Sequence, residues 1–163
     1  MNFTEGNIHD VEVCKLQKNT DSRGWLTEVF REDELPESFF PTMCYVSLTL
    51  PGIQRGPHEH REQTDYFVFT GPGKFLIILW DNRETSQSYG VKQTILAGDD
   101  SPTMVLVPPG VIHGYKNISK EPGLVINCPN QLFAGRNREC PIDEIRHEDD
   151  ENSSFLFARI ENG

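Results

Sequence analysis

The sequence predicts an all-β fold, a sandwich or a closed barrel, in a single domain. Its 163 residues match the length of one domain. Short runs rich in β-branched and aromatic residues are separated by Gly, Pro, Asn and Asp, which is the pattern of many short strands. Closure of the sheet would remove exposed strand edges and leave a polar mouth lined by inward side chains. We expect an N-terminal arm of about residues 1–43 and a C-terminal segment of about residues 134–163 to pack on the barrel.

The individual elements follow from alternation and from turn signals. The predicted strands are the runs 44–50, 65–70, 74–80, 89–96, 103–108, 111–118 and 123–128. The first run alternates, with Tyr45, Ser47 and Thr49 on one face and apolar residues on the other. Gly71-Pro72-Gly73 predicts a tight turn between the second run and the third. One short helix is expected, around Glu32 to Ser38.

Charge and cysteine content argue against several classes of partner. Asp and Glu outnumber Lys and Arg by 25 to 15, a formal net charge of −10. This charge disfavours nucleic acid and anionic membranes, so an anionic ligand would need a local group of arginines. No run approaches the about 20 apolar residues of a membrane span, and the N-terminus lacks the features of a signal peptide. The cysteines, Cys14, Cys44, Cys128 and Cys140, form no C-x-x-C pair, which favours reduced thiols in a cytoplasmic protein.

The segment RGPHEHREQTDYF, residues 55–67, is the densest in polar residues. It places His58 and His60 two positions apart, so that on a strand both imidazoles face the same side. Asp65 follows shortly after. Spacing of this kind is compatible with a metal site or with acid–base chemistry.

The segment PPGVIHGYKN, residues 108–117, contributes His113. It matches the second cupin motif, and residues 58–71 resemble the first, with aspartate where glutamate is usual. Together these motifs resemble a cupin-type jelly-roll β-barrel over about residues 50–130. If a hairpin brings His113 opposite the first two histidines, three nitrogens and one carboxylate would suit Fe, Mn, Ni or Zn.

A second resemblance covers nearly the whole chain. The segments that carry it are DSRGWLTEVF (21–30), RGPH (55–58), Gln63, DNRETSQSYG (81–90) and VPPGVIHGY (107–115). In this order they resemble the motifs of the dTDP-4-dehydrorhamnose 3,5-epimerase family, whose members are cupin-like jelly rolls, usually homodimers, that work without a metal. The resemblance implies an isomerase acting on a dTDP- or other NDP-4-keto-6-deoxyhexose, in deoxysugar or cell-surface polysaccharide biosynthesis.

The chemistry that this resemblance implies is proton transfer next to a ketone. The C–H bonds at C3 and C5 of a 4-keto sugar are acidic because the resulting carbanion is delocalised as an enolate. A base removes the proton from one face, and an acid returns one on the other. By the resemblance the base is His58, oriented by a C-terminal carboxylate. Asp149, within a degenerate form of the family's last motif, is the best match for that carboxylate.

Further positions resemble substrate contacts of the family. They are Arg23, Glu28, Arg55, Gln63, Arg83 and His113. Arg55 and His113 would lie near the ketone oxygen and stabilise negative charge there. Arg23 and Glu28 resemble nucleotide-contacting positions, and the fork of an arginine suits a diphosphate. Arg83 follows a strand end, where an arginine often pairs with a neighbouring carboxylate instead.

The chain also departs from the family. Asp65 stands where the family usually has a lysine that helps to hold the enolate, and His60 stands in place of a glutamine. The family's catalytic tyrosine aligns with Asn127. Tyr115, Tyr45 or a bound water could supply the missing acid.

Two alternatives to a cofactor-free epimerase stay open on the sequence alone. A metal-dependent cupin, an oxygenase or an isomerase, would hold one divalent first-row metal on His58, His60, Asp65 and His113. A non-catalytic cupin that has lost its acid would bind a sugar without turning it over. The favoured interpretation is a homodimeric enzyme that binds a nucleotide sugar and needs no metal.

Overall fold

The computed structural model describes residues 3–155 and 157. Its strands are β1 (Thr4–Glu5), β2 (Glu12–Lys15), β3 (Asn19–Asp21), β4 (Gly24–Leu26), β5 (Tyr45–Thr49), β6 (Gln54–Glu59), β7 (Asp65–Phe69), β8 (Lys74–Asp81), β9 (Val91–Gly98), β10 (Thr103–Val107), β11 (Val111–Asn117), β12 (Gly123–Asn127) and β13 (Ile145–Arg146). Short 3-10 turns occur at Glu32–Glu34, Arg136–Arg138 and His147–Asp149. No helix among the described residues has the length and apolar character needed to cross a membrane.

Two packed sheets form the body of the fold. The six-stranded sheet has the order β1-β9-β8-β11-β6-β13, and the five-stranded sheet has the order β2-β10-β7-β12-β5. Strands β3 and β4 form a separate hairpin. Every pairing is antiparallel except that of β1 with β9. The predicted all-β, cupin-type jelly roll is confirmed.

The core lies between the two sheets and draws on both. Its members include Phe67, Phe69, Val105, Val107 and Val125 from the five-stranded sheet and Phe75, Ile77, Leu79, Val111 and Tyr115 from the six-stranded sheet. The outer face of β7 is also covered, because Tyr66 and Val68 pack with Phe39 and the partly buried Leu35. Burial on both faces explains why β7 reads as an unbroken apolar run after Asp65.

The prediction from the sequence missed strand β6 and overestimated the length of one helix. Every run predicted as a strand contains one, but β6 was not predicted, because Gly56, Pro57 and several charged residues hide its alternation. The expected helix around Glu32 to Ser38 is a single 3-10 turn, Glu32–Glu34. Pro36 favours an extended Leu35 and so ends the turn.

A bulge in β6 shapes the site. His113 of β11 pairs with His58, and Tyr115 pairs with Arg55. An interval of two residues in β11 therefore lies opposite an interval of three residues in β6. The extra residue turns Arg55 and His58 toward the same cavity. Gly56 lies in the bulge with φ +78°, and a Cβ there would stand 2.6 Å from the carbonyl oxygen of His113. Only glycine fits both this conformation and this close approach.

Candidate active site

A cavity of about 420 Å³ opens beside His58. Residues of β5, β6, β11 and the C-terminal segment that give it polar walls include Tyr45, Arg55, His58, Tyr115, Glu144 and Arg146. A second cavity of about 600 Å³ shares Tyr45 and Glu144 with the first. Each volume lies in the range of small-molecule sites in proteins.

His58 is an uncharged imidazole in the wall of the first cavity. Its side chain is 16% exposed. Burial, together with the ring of His113 at 4.5 Å between centroids, lowers the pKa of His58 to about 2. The ring is therefore neutral at physiological pH, which is the form that can accept a proton.

The carboxylate that accompanies His58 belongs to Glu144, whose Oε1 lies 3.8 Å from Nδ1. The two-residue strand β13 pairs with β6 and sets Arg146 opposite His58, which brings the preceding Glu144 to the histidine. Asp149, the expected orienter, lies in the 3-10 turn that follows, with its side chain 68% exposed. Its Oδ2 accepts a hydrogen bond from Nε of Arg146 at 3.0 Å. The structure thus joins the C-terminal segment to His58 through an earlier acidic residue than the motif indicated.

Asp143 explains how this segment is fixed. Its carboxylate accepts backbone N–H bonds from residues 61–63 at 2.9, 2.8 and 2.9 Å. Its carbonyl oxygen meets Nδ1 of His60. These contacts tie the loop after β6 to the segment that carries Glu144. Nothing in the sequence marked Asp143 or Glu144, because their partners are set by the pairing of β13 with β6.

A buried polar cluster lies behind His58. Asp65, which is 1% exposed, places Oδ2 at 3.2 Å from Nε2 of His60 and 3.1 Å from Nε2 of His113. Its Oδ1 accepts hydrogen bonds from Gln63 at 2.9 Å and Asn127 at 2.7 Å. Burial raises the pKa of Asp65, but His113 and His60 more than offset this, so the pKa is well below its ordinary value. Asp65 is therefore an anion inside the fold.

The same cluster acts on His60. Burial lowers the pKa of His60, and the neighbouring carboxylate of Asp65 raises it by more, so the pKa is above its ordinary value. His58, His60, Asp65 and His113 each offer a ligand atom, and these atoms lie within 4.8 Å of one another. Within the described part of the chain, these are the side chains that could hold a metal ion.

His113 occupies a different position from the one the resemblance implied. Its ring is 3% exposed, and its Nδ1 donates to the carbonyl oxygen of Val111 at 2.9 Å. Its Nε2 faces Asp65. Both ring nitrogens are thus directed to protein groups rather than to the cavity beside His58. Of the two residues expected at the ketone oxygen, Arg55 is the one that lines that cavity.

Arg55 is held in the cavity wall by β5. Its Nε donates to Oγ1 of Thr49 at 3.0 Å, and one terminal nitrogen donates to the carbonyl oxygen of Leu48 at 2.9 Å. These bonds fix the guanidinium, and it has no carboxylate at ion-pair distance among the residues that the structure describes. An arginine held in this way keeps its positive charge for an anionic group in the cavity.

Tyr45 and Tyr115 are the acid candidates, and both line the cavity. Asn127 pairs directly with Tyr45 across β12 and β5. Its amide donates to the Tyr45 hydroxyl at 3.0 Å. Burial raises the pKa of Tyr45 to about 12, and burial also raises the pKa of Tyr115. The Tyr115 hydroxyl is hydrogen-bonded to Ser47 at 2.9 Å.

Three expected substrate contacts lie elsewhere on this chain. Arg83 donates to the buried carboxylate of Asp81 at 2.9 Å, as the alternative of a strand-end pair anticipated. Arg23 is 87% exposed in the β3–β4 hairpin and pairs with Asp21. Glu28 is 60% exposed. None of the three lines the cavity beside His58.

Comparison with known proteins gives a consistent result. The family described as dTDP-4-dehydrorhamnose 3,5-epimerase matches residues 5–149. The chain is 42% identical to the "probable low-salt glycan biosynthesis epimerase Agl13" of Haloferax volcanii over 128 residues, 78% of this chain and 81% of that protein. It is 32% identical to the "spore coat polysaccharide biosynthesis protein SpsL" of Bacillus subtilis, covering 91% and 95% of the two chains. A dTDP sugar isomerase from Desulfovibrio desulfuricans has the same fold, with a TM-score of 0.77, 22% identity and 91% of each chain covered.

Proposed function

This chain belongs to the dTDP-4-dehydrorhamnose 3,5-epimerase family, and we propose that it epimerises a dTDP- or other NDP-4-keto-6-deoxyhexose. The family consists of isomerases, and the relatives named above serve glycan and polysaccharide synthesis. Family membership does not favour an oxygenase or a non-catalytic sugar-binding protein. The observation that carries the proposal is the neutral His58 with Glu144 beside it in a polar cavity.

His58 is the base in this proposal. Its unprotonated ring takes a proton from C3 or C5 of the sugar, and the new positive charge is stabilised by Glu144. The 3.8 Å separation is longer than a hydrogen bond. Catalytic hydrogen bonds are often long without substrate and shorten in the complex. Approach of the carboxylate would raise the pKa of the imidazole when a proton must be held.

Arg55 is the group that stabilises the enolate. Its guanidinium sits in the same cavity wall as His58 because of the bulge in β6. A fixed cation aimed at an oxygen that gains charge stabilises the transition state more than the ground state. The proton transfers need no organic cofactor.

Tyr45 is the acid that we favour. Its oxygen receives an N–H from Asn127, which leaves its own proton free to be donated. If Asn127 takes the position of the family's tyrosine, as the sequence resemblance implies, the phenol would come from its cross-strand neighbour Tyr45. The raised pKa keeps Tyr45 protonated throughout the physiological range.

We propose that the enzyme is a cytoplasmic homodimer that binds its substrate through arginines. The described cysteines are free, which suits a reducing compartment. On β5 and just after it, Val46, Leu48 and Leu50 are 60%, 54% and 57% exposed, an apolar row on one face of this outermost strand that favours association. Arg23 and Glu28 do not line their own chain's cavity, so contact with the nucleotide would require them to reach the cavity of a second chain.

The direct test is conversion of a candidate substrate. Purified protein is incubated with a dTDP-, UDP- or GDP-4-keto-6-deoxyhexose, and the ring stereochemistry is followed by NMR. We expect inversion at C3, C5 or both with at least one of these sugars. Failure to convert any of them, by protein whose fold is verified by circular dichroism, would contradict the proposed function.

A further inference from the structure

His113 presents a lone pair to an anion. Its Nδ1 lies 2.9 Å from the carbonyl oxygen of Val111, which can only accept, so Nδ1 carries a hydrogen. In the neutral ring, Nε2 is then an acceptor, and it stands 3.1 Å from Oδ2 of Asp65, another acceptor. Both atoms are buried, and neither has a hydrogen-bond partner among the described residues.

His60 repeats this arrangement. Its Nδ1 meets the carbonyl oxygen of Asp143, so the hydrogen of the neutral ring is placed there. The Gln63 amide nitrogen donates to Oδ1 of Asp65 at 2.9 Å and lies 3.2 Å from Nε2 of His60. An amide N–H directed at Nε2 marks that nitrogen as an acceptor as well. It stands 3.2 Å from the same Oδ2 of Asp65.

With both rings neutral, acceptor atoms of three side chains converge inside the fold. Convergence of this kind is unfavourable unless a ring takes up a proton or a metal cation lies between the three side chains. Ligands about 2.1 Å from a tetrahedral metal stand about 3.4 Å apart, close to the observed spacings. Metal-bound histidines usually donate their other N–H to a carbonyl or carboxylate, as both of these rings do. We propose that His60, Asp65 and His113 bind one divalent first-row transition metal.

In this proposal His58 is not a ligand of the metal. Its ring is within 4.8 Å of the cluster, but its carboxylate partner at ion-pair distance is Glu144 and not Asp65. His58 can therefore keep the role of base while the other three side chains hold the ion. The ligand set, two imidazoles and one carboxylate, suits Zn²⁺, Fe²⁺, Co²⁺, Ni²⁺ or Mn²⁺.

The ion would also place a positive charge beside the proposed base. A divalent ion on one carboxylate and two neutral imidazoles has a net charge of +1. Its ligand atoms lie within 4.8 Å of a ring nitrogen of His58. This catalytic consequence rests on the proposed function; metal binding itself does not.

The experiment measures binding separately from activity. The full chain is stripped with a chelator and titrated with Co²⁺, whose visible absorption reports the ligand geometry, and Zn²⁺ is then added as competitor. We expect about one ion per chain. H60Q, D65N and H113Q should each lose at least tenfold in affinity. H9Q, a change at an exposed histidine paired with Asp10, is the matched control, and it should bind as the unmodified chain does.

Each outcome decides the assignment. Absence of saturable binding by the unmodified chain, or unchanged affinity in D65N and H60Q, would overturn the proposal and assign the cluster to protonated histidines. Loss of binding in H58Q would overturn the statement that His58 stays free. Circular dichroism and thermal unfolding accompany every variant, and added metal should raise the melting temperature of the unmodified chain but not of D65N.

The catalytic consequence has its own readout. Exchange of the sugar C–H in deuterated water is compared between stripped and metal-loaded protein, and we expect faster exchange in the loaded form. Equal exchange in both forms would show that the metal has no catalytic role, while the assignment of the metal-binding site would still hold. Metal binding without exchange in either form would count against the proposed function alone.

Discussion

Glu144 and not Asp149 is the carboxylate at ion-pair distance from His58, with Oε1 3.8 Å from Nδ1. The relationship depends on β13, whose pairing with β6 sets Arg146 opposite His58. Asp149 instead bonds to Arg146 at the surface. Two acidic residues of one short segment thus differ in environment, and they form a matched pair for mutagenesis.

E144Q should lower kcat for epimerisation on the order of 10²-fold, because the imidazolium formed at His58 loses its counter-charge. D149N should stay within about twofold, since its carboxylate is exposed and bonded to Arg146. Initial rates at saturating substrate give both values. Equal losses in the two variants, or a larger loss in D149N, would contradict the assignment of Glu144.

Y45F should separate exchange from inversion. Without the phenol, His58 can still remove and return a proton on one face, so deuterium should enter the sugar while inversion falls on the order of 10²-fold or more. Y115F removes a hydroxyl of the same cavity that is bonded to Ser47, and it should keep the normal ratio of inversion to exchange. NMR measures both quantities in one sample. The reverse result would assign the acid to Tyr115.

The pH profile should reflect the environment of Tyr45. Burial raises its pKa to about 12, so the phenol keeps its proton well above the ordinary tyrosine value of about 10. We therefore expect no loss of epimerisation rate through this group between about pH 8 and 10. Activity is measured across this range, with protein stability checked at each pH. A falling limb with an apparent pKa near 9 that disappears in Y45F would contradict this expectation.

Arg83 should matter for stability rather than for binding. It donates to Asp81, whose carboxylate is fully buried and also accepts from Ser86 and Ser88, each at 2.6 Å. R83A leaves part of that carboxylate unsatisfied and should cost about 1–3 kcal/mol of unfolding free energy in urea. R23A, at an exposed arginine, is the control and should leave the urea midpoint unchanged. A stable R83A protein with a raised KM would assign Arg83 to the substrate instead.

Short apolar or alternating runs bounded by turn residues were enough to predict most of the sheets, because β5, β7, β8 and the later strands have the apolar residues that a core requires. The position of β6 was not predictable in this way, since its pattern is interrupted by the bulge at Gly56. Motif resemblance nevertheless placed His58 and Arg55 in one site. Their common orientation depends on that bulge, whose position the alternation of residues does not predict.

The remaining site residues depend on contacts between distant parts of the chain. Glu144 reaches His58 through a strand of two residues, too short to leave a periodic signal. His60, Asp65 and His113 meet because β7, β11 and the end of β6 fold together, and the sequence motifs grouped these three with His58 only as a metal alternative. Their tautomers follow from the carbonyl oxygens of Val111 and Asp143, which have no side-chain signature.

The central claim is that His58 removes the proton next to the ketone. Exchange at C3 and C5 of the NDP-4-keto-6-deoxyhexose in deuterated water tests it most directly, with the unmodified chain and H58Q compared at equal concentrations of folded protein. We expect deuterium to enter one or both positions with the unmodified chain and the rate to fall roughly 10³-fold in H58Q. Exchange at an undiminished rate in H58Q would contradict the assignment of His58 as the base.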